Sequence, residues 1–384
     1  MNKRITALLL AVLMLLSLCA CGASSEGTQA GTPAGTQDGN AAAEQSSSEE
    51  ETMTAEEMSS MGDMYYRGDE VDYEQARYWY LKAGEAGYAK AYLFLGDTYY
   101  FPSGDLKDND KAFEYYSKAA EAGVPDAMGN MGVMYAGGYG TGQDYVKAAE
   151  WYEKAIDAGC VWAARNLGNF YLDGKPGIEK DEEKGLELLN WAVENGFADA
   201  NLILGSYYSR KHDYEKAEEC YVKAAEAGNT WALYNLGNMF LYQAEDNDKA
   251  EEWLLKASDA GIVGARARLG DLYAGHFGSD KRDEGKAIEW YTAAMESDPP
   301  DPYGVVQLGQ MYYYGYGVEK DYEKAFELYS RSVELYSELS PNDPSASMAL
   351  ELLADLYRNG QGVAQDTAKA DELHEQAQAL QNGS

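Results

Sequence analysis

The sequence predicts an all-α protein, an α-solenoid of about nine helix–turn–helix repeats. Three observations lead to this prediction. A Leu/Met–Gly step recurs along the chain at intervals of 32 to 45 residues, with alanine replacing glycine in the last copy. Apolar residues around each step follow the three- and four-residue spacing of a helix. Gly-rich loops separate the helical stretches, and no alternating strand pattern lies between them.

The first helix of each repeat, the A helix, carries the recurring glycine, which we call the marker. The nine marker positions are Gly62, Gly96, Gly132, Gly168, Gly205, Gly237, Gly270, Gly309 and Ala354. In most repeats alanine lies at position −5 from the marker, Leu or Met at −1 and an aromatic residue at +3. These positions form one apolar helical stripe. Glycine within a helix costs about 1 kcal/mol, so its recurrence predicts that a neighbouring helix backbone passes close to it.

The second helix, the B helix, begins near a Lys–Ala step or a variant of it. Its reference positions are Ala76, Ala112, Ala148, Gly185, Ala217, Ala250, Ala287, Ala325 and Ala370. In the third repeat Ala148, Trp151, Tyr152 and Ala155 share one helical face. In the first six repeats a glycine follows eleven residues later, where a helix C-terminus favours left-handed backbone geometry.

A single helix pair cannot bury both of its faces, so the pairs are expected to stack around a continuous core. The ninth repeat replaces the usual aromatic pair with Leu373 and His374, as expected for a capping repeat. The expected repeats lie near 54–90, 91–126, 127–162, 163–199, 200–231, 232–264, 265–302, 303–345 and 346–380.

The first twenty residues are interpreted as a signal peptide. Lys3 and Arg4 precede an apolar stretch, 5–18, that is too short for a membrane-spanning helix. The sequence Leu-Cys-Ala-Cys-Gly at 18–22 resembles the lipobox of bacterial lipoproteins, which implies lipidation at Cys21. The alternative is an ordinary signal peptide that is removed together with both cysteines. Residues 21–53 are Ser/Gly/Thr-rich and predict a flexible tether.

This interpretation predicts that the protein is exported and lipid-anchored to the bacterial cell membrane, on the extracellular face or in the periplasm. The formal charge of −34 excludes nucleic acid as a partner, because no basic surface exists to displace its counterions. It also predicts repulsion from anionic membranes, so membrane contact is expected through the lipid alone. Cys160 and Cys220 lie in different repeats. We expect unpaired buried thiols rather than a disulfide between stacked units.

Three motif segments carry a family resemblance: A-x4-G-x2-Y, then G-x-G-V-x2-D, then K-A-x2-W-Y-x-K-A-x3-G. This pattern resembles the Sel-one-like repeat, a subclass of the tetratricopeptide superfamily, across about residues 54–380. Repeats three, four and eight match best, whereas repeats one, five and six have the short loops of ordinary tetratricopeptide units. The resemblance implies a right-handed superhelix whose curved surfaces hold proteins or peptides. Some relatives contain a disulfide in each repeat, and activities proposed for that subgroup do not transfer to this chain.

Catalytic groups are sparse in the sequence. The three histidines, His212, His276 and His374, fall in three different repeats, which argues against a shared metal site. Glycines 137–142 lack the strand and the Gly-Lys-Ser/Thr run of a phosphate-binding loop. The acidic segments 105–110 and 246–248 lack the glycine and final glutamate of a calcium-binding loop. We therefore predict no enzyme activity, catalytic residue, metal or cofactor.

Polar residues recur at positions −2 and +1 of the A helix, about 100° and 160° from the apolar stripe. These positions are predicted to face outward into a groove. The candidate ligand-binding residues are Asn130, Asn166, Asn169, Asn235, Asn238, Gln307 and Gln310. Asp63, Asp97 and Asp271 also occupy position +1. Such a row can hydrogen-bond the backbone of an extended peptide. The alternative is that asparagine at these positions only serves the repeat fold.

The charge pattern of this row bears on its partner. Only Arg268 brings a positive charge to it, so a neutral or basic protein segment is favoured over an acidic one. The leading hypothesis is a scaffold that binds proteins or peptides. The alternatives are an envelope hydrolase acting on peptidoglycan or a β-lactam, and a component of an envelope assembly or uptake system. The identity of the partner and the oligomeric state stay open.

Overall fold

A computed structural model describes residues 53–68, 70–102 and 104–382. The chain divides into two units, Met1–Thr54 and Ala55–Ser384, and the eighteen described α-helices lie in the second. The A helices are α1 Ala55–Arg67, α3 Lys90–Tyr100, α5 Pro125–Gly137, α7 Val161–Asp173, α9 Ala200–Arg210, α11 Thr230–Tyr242, α13 Val263–Ala274, α15 Pro302–Tyr314 and α17 Ala346–Asn359. The B helices are α2 Tyr73–Glu85, α4 Asn109–Glu121, α6 Tyr145–Asp157, α8 Glu182–Glu194, α10 Tyr214–Glu226, α12 Asn247–Asp259, α14 Glu284–Met295, α16 Tyr322–Leu339 and α18 Thr367–Asn382.

Each A helix packs against its own B helix, and each B helix packs against the next A helix. Within the described ranges the remaining regular structure is two short 3-10 turns, Gly104–Leu106 and His276–Gly278. The buried side chains form neighbouring clusters that follow the stack from one repeat to the next. The prediction of an all-α solenoid is therefore confirmed.

Every B helix begins at an aspartate that closes its hairpin in two ways. The carboxylate of Asp144 accepts a hydrogen bond from the backbone N–H of Lys147 at 3.0 Å, and its own N–H donates to the carbonyl of Tyr135 at 2.9 Å. The first contact satisfies a helix N-terminal N–H that has no partner within the helix. The same capping aspartate recurs as Asp72, Asp108, Asp181, Asp213, Asp246, Asp283, Asp321 and Asp366.

The glycines predicted at the ends of the first six B helices adopt the left-handed conformation. Their φ angles lie between +87° and +101°, a region in which a side chain is strained. The prediction from their spacing is confirmed. These residues are Gly87, Gly123, Gly159, Gly196, Gly228 and Gly261.

The marker glycines are explained by a side chain rather than by a backbone. A Cβ atom at Gly132 would lie 2.4 Å from the ring of Tyr152 on the paired B helix. The expectation of a close helix backbone is wrong for most repeats. It holds in repeat four, where a Cβ at Gly168 would lie 3.0 Å from the carbonyl oxygen of Gly185. It also holds in repeat six, where a Cβ at Gly237 would lie 3.2 Å from the backbone nitrogen of Leu254.

The long loops of repeats three, four, eight and nine cover the preceding repeat. At Gly140 a Cβ would lie 2.3 Å from the backbone oxygen of Asn109, in the first turn of α4. Gly362 approaches the backbone oxygen of Tyr322 in the same way. At these two glycines, backbone packs against backbone, so no side chain would fit. Each such loop therefore closes the N-terminal turn of the previous B helix.

Cys160 and Cys220 are free, Cys160 being buried and Cys220 partly buried. No helix within the described ranges is long and apolar enough to cross a membrane. The predicted signal peptide, Cys21 and nearly all of the tether lie outside the described residues.

Candidate functional site

The predicted polar row lies on the A helices, and most of its members are partly exposed. These are Asn130, Asn166, Asn169, Asn235, Asn238 and Gln310. Gln307 differs, since it is only 5% exposed. Its predicted outward orientation is wrong because α15 packs closely against α13. One turn earlier on the same face, the Tyr303 hydroxyl binds Asp271 of repeat seven at 3.1 Å.

Position +1 is tied to the core in four repeats by a tyrosine of the B helix. The ring of this tyrosine packs against the marker glycine, and its hydroxyl donates a hydrogen bond to the residue that follows the glycine. The pairs are Tyr80–Asp63 and Tyr116–Asp97 at 2.8 Å, Tyr221–Ser206 at 3.1 Å and Tyr291–Asp271 at 2.8 Å. In these repeats the +1 side chain serves the fold.

Repeats four and six lack this tyrosine, because Leu189 and Leu254 pack against the marker glycine instead. No hydroxyl then reaches position +1, which is asparagine in both repeats. Asn238 Oδ1 is buried and has no hydrogen-bond partner. Asn169 Nδ2 makes only a long contact, 3.4 Å, to Asp173 Oδ2. The two leucine repeats therefore leave amide groups of the row free of tyrosine contacts.

The residues at position −2 of the A helix differ in their hydrogen bonds and exposure. Asn166 Oδ1 accepts a hydrogen bond from Arg165 Nη1 at 2.9 Å. Asn130 and Asn235 are partly exposed. At position +1 of repeat eight, Gln310 Nε2 lies 3.9 Å from the sulfur of Met348.

Arg268, the one basic residue of the row, is neutralised within the protein. Its Nη1 lies 2.8 Å from the carboxylate of Asp271, which is fully buried. The guanidinium also lies 4.5 Å from the ring centroid of Tyr303, and its Nε donates to the Tyr234 hydroxyl at 3.3 Å. Burial and the Asp271 carboxylate raise the pKa of the Tyr291 hydroxyl, which stays a donor to that carboxylate. The predicted outward orientation of Asp271 is thus wrong, because the residue is fully buried, and Arg268 brings no free charge to the row.

The site offers hydrogen bonding and ring surfaces. Across the described part of the chain no three His, Cys, Asp or Glu residues are grouped as metal ligands. A depression of about 750 Å³ lies away from the row, between helix α6 of repeat three and the loop of repeat four, and Tyr171 and Glu182 line it. Lys180, Lys211 and Tyr207 lower the pKa of Glu182 to about 2.

Sequence reasoning missed two features of this face. The first is the choice of tyrosine or leucine four residues after the B-helix reference position, which decides whether position +1 is free. The second is position −6 of the A helix, where Trp162, Trp231 and Tyr303 stand. Both signals were present in the aligned repeats.

Comparison with known proteins identifies the repeats. The Sel1 repeat model matches eight segments: 58–88, 89–124, 125–160, 163–197, 232–262, 263–298, 302–337 and 347–380. The tetratricopeptide repeat model matches 198–227, which is repeat five, one of the short-loop repeats. Together these matches span almost the whole helical region.

Several solved structures are similar to the chain. A protective antigen of uropathogenic Escherichia coli with an SLR fold is 26% identical, over 88% of this chain and 86% of its own, with a TM-score of 0.42. A Sel1 repeat protein of Oxalobacter formigenes is 30% identical, over 58% and 96%, with a TM-score of 0.47. An immunity protein of Pseudomonas aeruginosa is 25% identical, over 56% and 87%, with a TM-score of 0.39.

These superpositions are loose, so the assignment rests on the repeat matches. They cover more than half of the chain and include both the marker glycines and the capping aspartates. The chain therefore belongs to the Sel1 repeat family.

Proposed function

We propose that this chain is an exported, lipid-anchored adaptor that holds an extended protein segment on the A helices of repeats four to six. Repeat proteins of this family are protein-binding scaffolds. The observation that carries the proposal is the release of Asn169 and Asn238 from the tyrosine contacts that occupy the same position in four other repeats.

An amide side chain provides both a donor and an acceptor, which matches the alternating N–H and C=O groups of an extended backbone. Asn238 Oδ1 lacks a donor in the free protein, and an unsatisfied buried acceptor costs about 1–3 kcal/mol. A bound segment that supplies an N–H to this amide, once the partly exposed side chain turns its oxygen outward, would recover that cost. The net charge of −34 favours partners with neutral or basic segments and speeds their encounter at low salt.

The test uses a partner recovered by cross-linking from the native envelope and then purified. Replacing both Asn169 and Asn238 with alanine should weaken its binding by about 1–3 kcal/mol, through the loss of hydrogen bonds in a desolvated site. Ser206→Ala is the matched control. It changes the same position in the intervening repeat, where the side chain is already bound to Tyr221, and should leave the affinity unchanged. Equal affinities for the double variant and the wild type would overturn the proposed site.

Anchoring is tested separately at the lipobox. Cys21→Ala should leave a product that no longer partitions into detergent, because stable anchoring depends on the acyl chains. Cys19→Ala is the control and should be processed and anchored normally. Detergent partitioning of the Cys21 variant at the wild-type level would overturn the proposed lipid anchor.

A further inference from the structure

Trp231 behaves differently from the other aromatic residues at position −6. In repeat four, Trp162 Nε1 donates to the carboxylate of Asp126 in the preceding repeat at 2.9 Å. In repeat eight the Tyr303 hydroxyl binds Asp271, at position +1 of the preceding repeat. Trp231, in repeat six, makes no such bond to repeat five, and it is 58% exposed.

Two features of repeat five account for this exposure. Asp199 occupies the position that Asp126 has in repeat three, but its Oδ1 accepts a hydrogen bond from Asn229 Nδ2 at 2.9 Å. Leu202 stands where repeat three has Gly129. The Trp162 ring lies so close to Gly129 that a Cβ there would be 2.5 Å away. A leucine at this position prevents the ring of Trp231 from settling onto the preceding helix.

The exposed ring is nevertheless held in place. Tyr234 packs edge-on against Trp231, with 5.9 Å between ring centroids and an interplanar angle of 82°. The Tyr234 hydroxyl is in turn bound by Arg268. Along α11, Trp231, Asn235, Asn238 and Tyr242 follow the spacing i, i+4, i+7 and i+11, so they lie on one face. The ring therefore extends the row of free amides by one helical turn.

Several partly exposed rings elsewhere in the chain are covered by its own cations. Lys154 Nζ lies 4.4 Å from the ring centroid of Trp151, and Lys256 Nζ lies 3.9 Å from that of Trp253. Similar contacts recur on many tyrosines. Among the described residues no lysine or arginine covers Trp231. Tryptophan offers the strongest ring surface for a cation, and a chain with a net charge of −34 attracts cations from outside.

We infer that Trp231 binds a lysine or arginine side chain of the partner segment, with the exposed carboxylate of Asp199 beside it as the counter-charge. This inference rests on the proposed function and specifies the partner chemistry. Asp199 is bound to Asn229, two residues before Trp231, so ring and carboxylate lie at the same end of α11. The partner segment thus places a basic side chain at this end and runs along the free amides toward Tyr242.

Calorimetric titration of the full chain with a capped lysine–serine repeat peptide at low ionic strength tests this. Trp231→Ala should weaken binding about three- to thirty-fold, the range expected for loss of a cation–π contact. The affinity of Trp231→Phe for the peptide should lie between those of Trp231→Ala and the wild type, since phenylalanine keeps a ring that binds a cation more weakly. The alanine substitution leaves the charge unchanged, so general attraction to an acidic protein is the same in both.

Tyr78→Ala is the matched control. Tyr78 is 41% exposed, and its own Lys82 already lies 4.7 Å from the ring centroid, so the affinity should not change. A capped glutamate–serine peptide should not bind. The inference fails if the wild type does not bind the lysine peptide, if Trp231→Ala binds it equally well, or if the glutamate peptide binds as tightly.

The two proposals fail in different ways. If the native partner loses affinity for the Asn169/Asn238 variant but not for Trp231→Ala, the adaptor function stands and the cation site is wrong. If the lysine peptide depends on Trp231 while cross-linking recovers no partner, the cation site stands and the adaptor function is wrong.

Discussion

Repeats two and six have the same helix pair and the same marker glycine, but they use the residue after that glycine differently. In repeat two Tyr116 packs on Gly96 and donates to Asp97 at 2.8 Å. In repeat six Leu254 packs on the glycine, and Asn238 Oδ1 has no donor. A single hydroxyl on the B helix therefore decides whether position +1 belongs to the core or stays free for a partner.

The largest expected effect is on the free energy of unfolding, and it compares substitutions at position +1 of repeats seven and six. Asp271→Ala should lower the free energy of unfolding by about 3–5 kcal/mol, since it leaves Arg268 partly buried without its carboxylate. Asn238→Ala should not lower it, because no hydrogen bond to the amide oxygen is lost and an unsatisfied buried acceptor is removed. Urea denaturation of both variants measures the difference. Similar losses would show that tyrosine and leucine repeats do not differ as described.

A smaller effect depends on pH. Burial raises the pKa of Asp97 to about 6, even though the hydrogen bond from Tyr116 acts in the opposite direction. Between about pH 4 and 6 the folded chain holds a proton that the unfolded chain has released, so stability falls as the pH rises through this window. Asp97→Asn should raise the free energy of unfolding by about 1–2 kcal/mol at neutral pH and change it little near the acid end of the window.

Thermal melting of this variant across the window provides the measurement. Glu121→Gln, at an exposed position at the end of α4, controls for the loss of one negative charge. Because leucine repeats have asparagine at this position, the contribution belongs to the tyrosine repeats. An unchanged pH profile in the Asp97 variant would contradict this assignment.

The smallest effect would convert one class of repeat into the other. Leu254→Tyr should bring a hydroxyl to Asn238 and stabilise the fold by about 0.5–1.5 kcal/mol, the usual net value of one hydrogen bond. It should also weaken partner binding, because the amide is then occupied. Leu254→Phe is the control, since it fills the same space without the hydroxyl. Binding that is equally strong in both variants would argue against a role for Asn238.

The helix pairs were predictable from sequence because their signals are local. The Ala–Leu–aromatic stripe and the glycines that end the B helices depend on spacing within one helix, as Gly159 shows. The accessibility of the row was not predictable from the A helix alone. It depends on a residue of the paired helix, as for Asn238 and Leu254, or on the preceding repeat, as for Trp231 and Leu202. Neither contact can be read from a helical wheel of the A helix, because both involve a different helix.

The loop glycines make the completion of some repeats depend on the repeat that is synthesised next. The loop containing Gly140 closes the first turn of α4, and the loop containing Gly362 closes that of α16. Ribosomes build the chain from its N-terminus at about 5–20 residues per second, so about one to four seconds pass between the end of α4 and the synthesis of Gly140. Each unit of this kind matures only when its successor emerges, so a nascent chain that ends within such a unit carries an unfinished helix start.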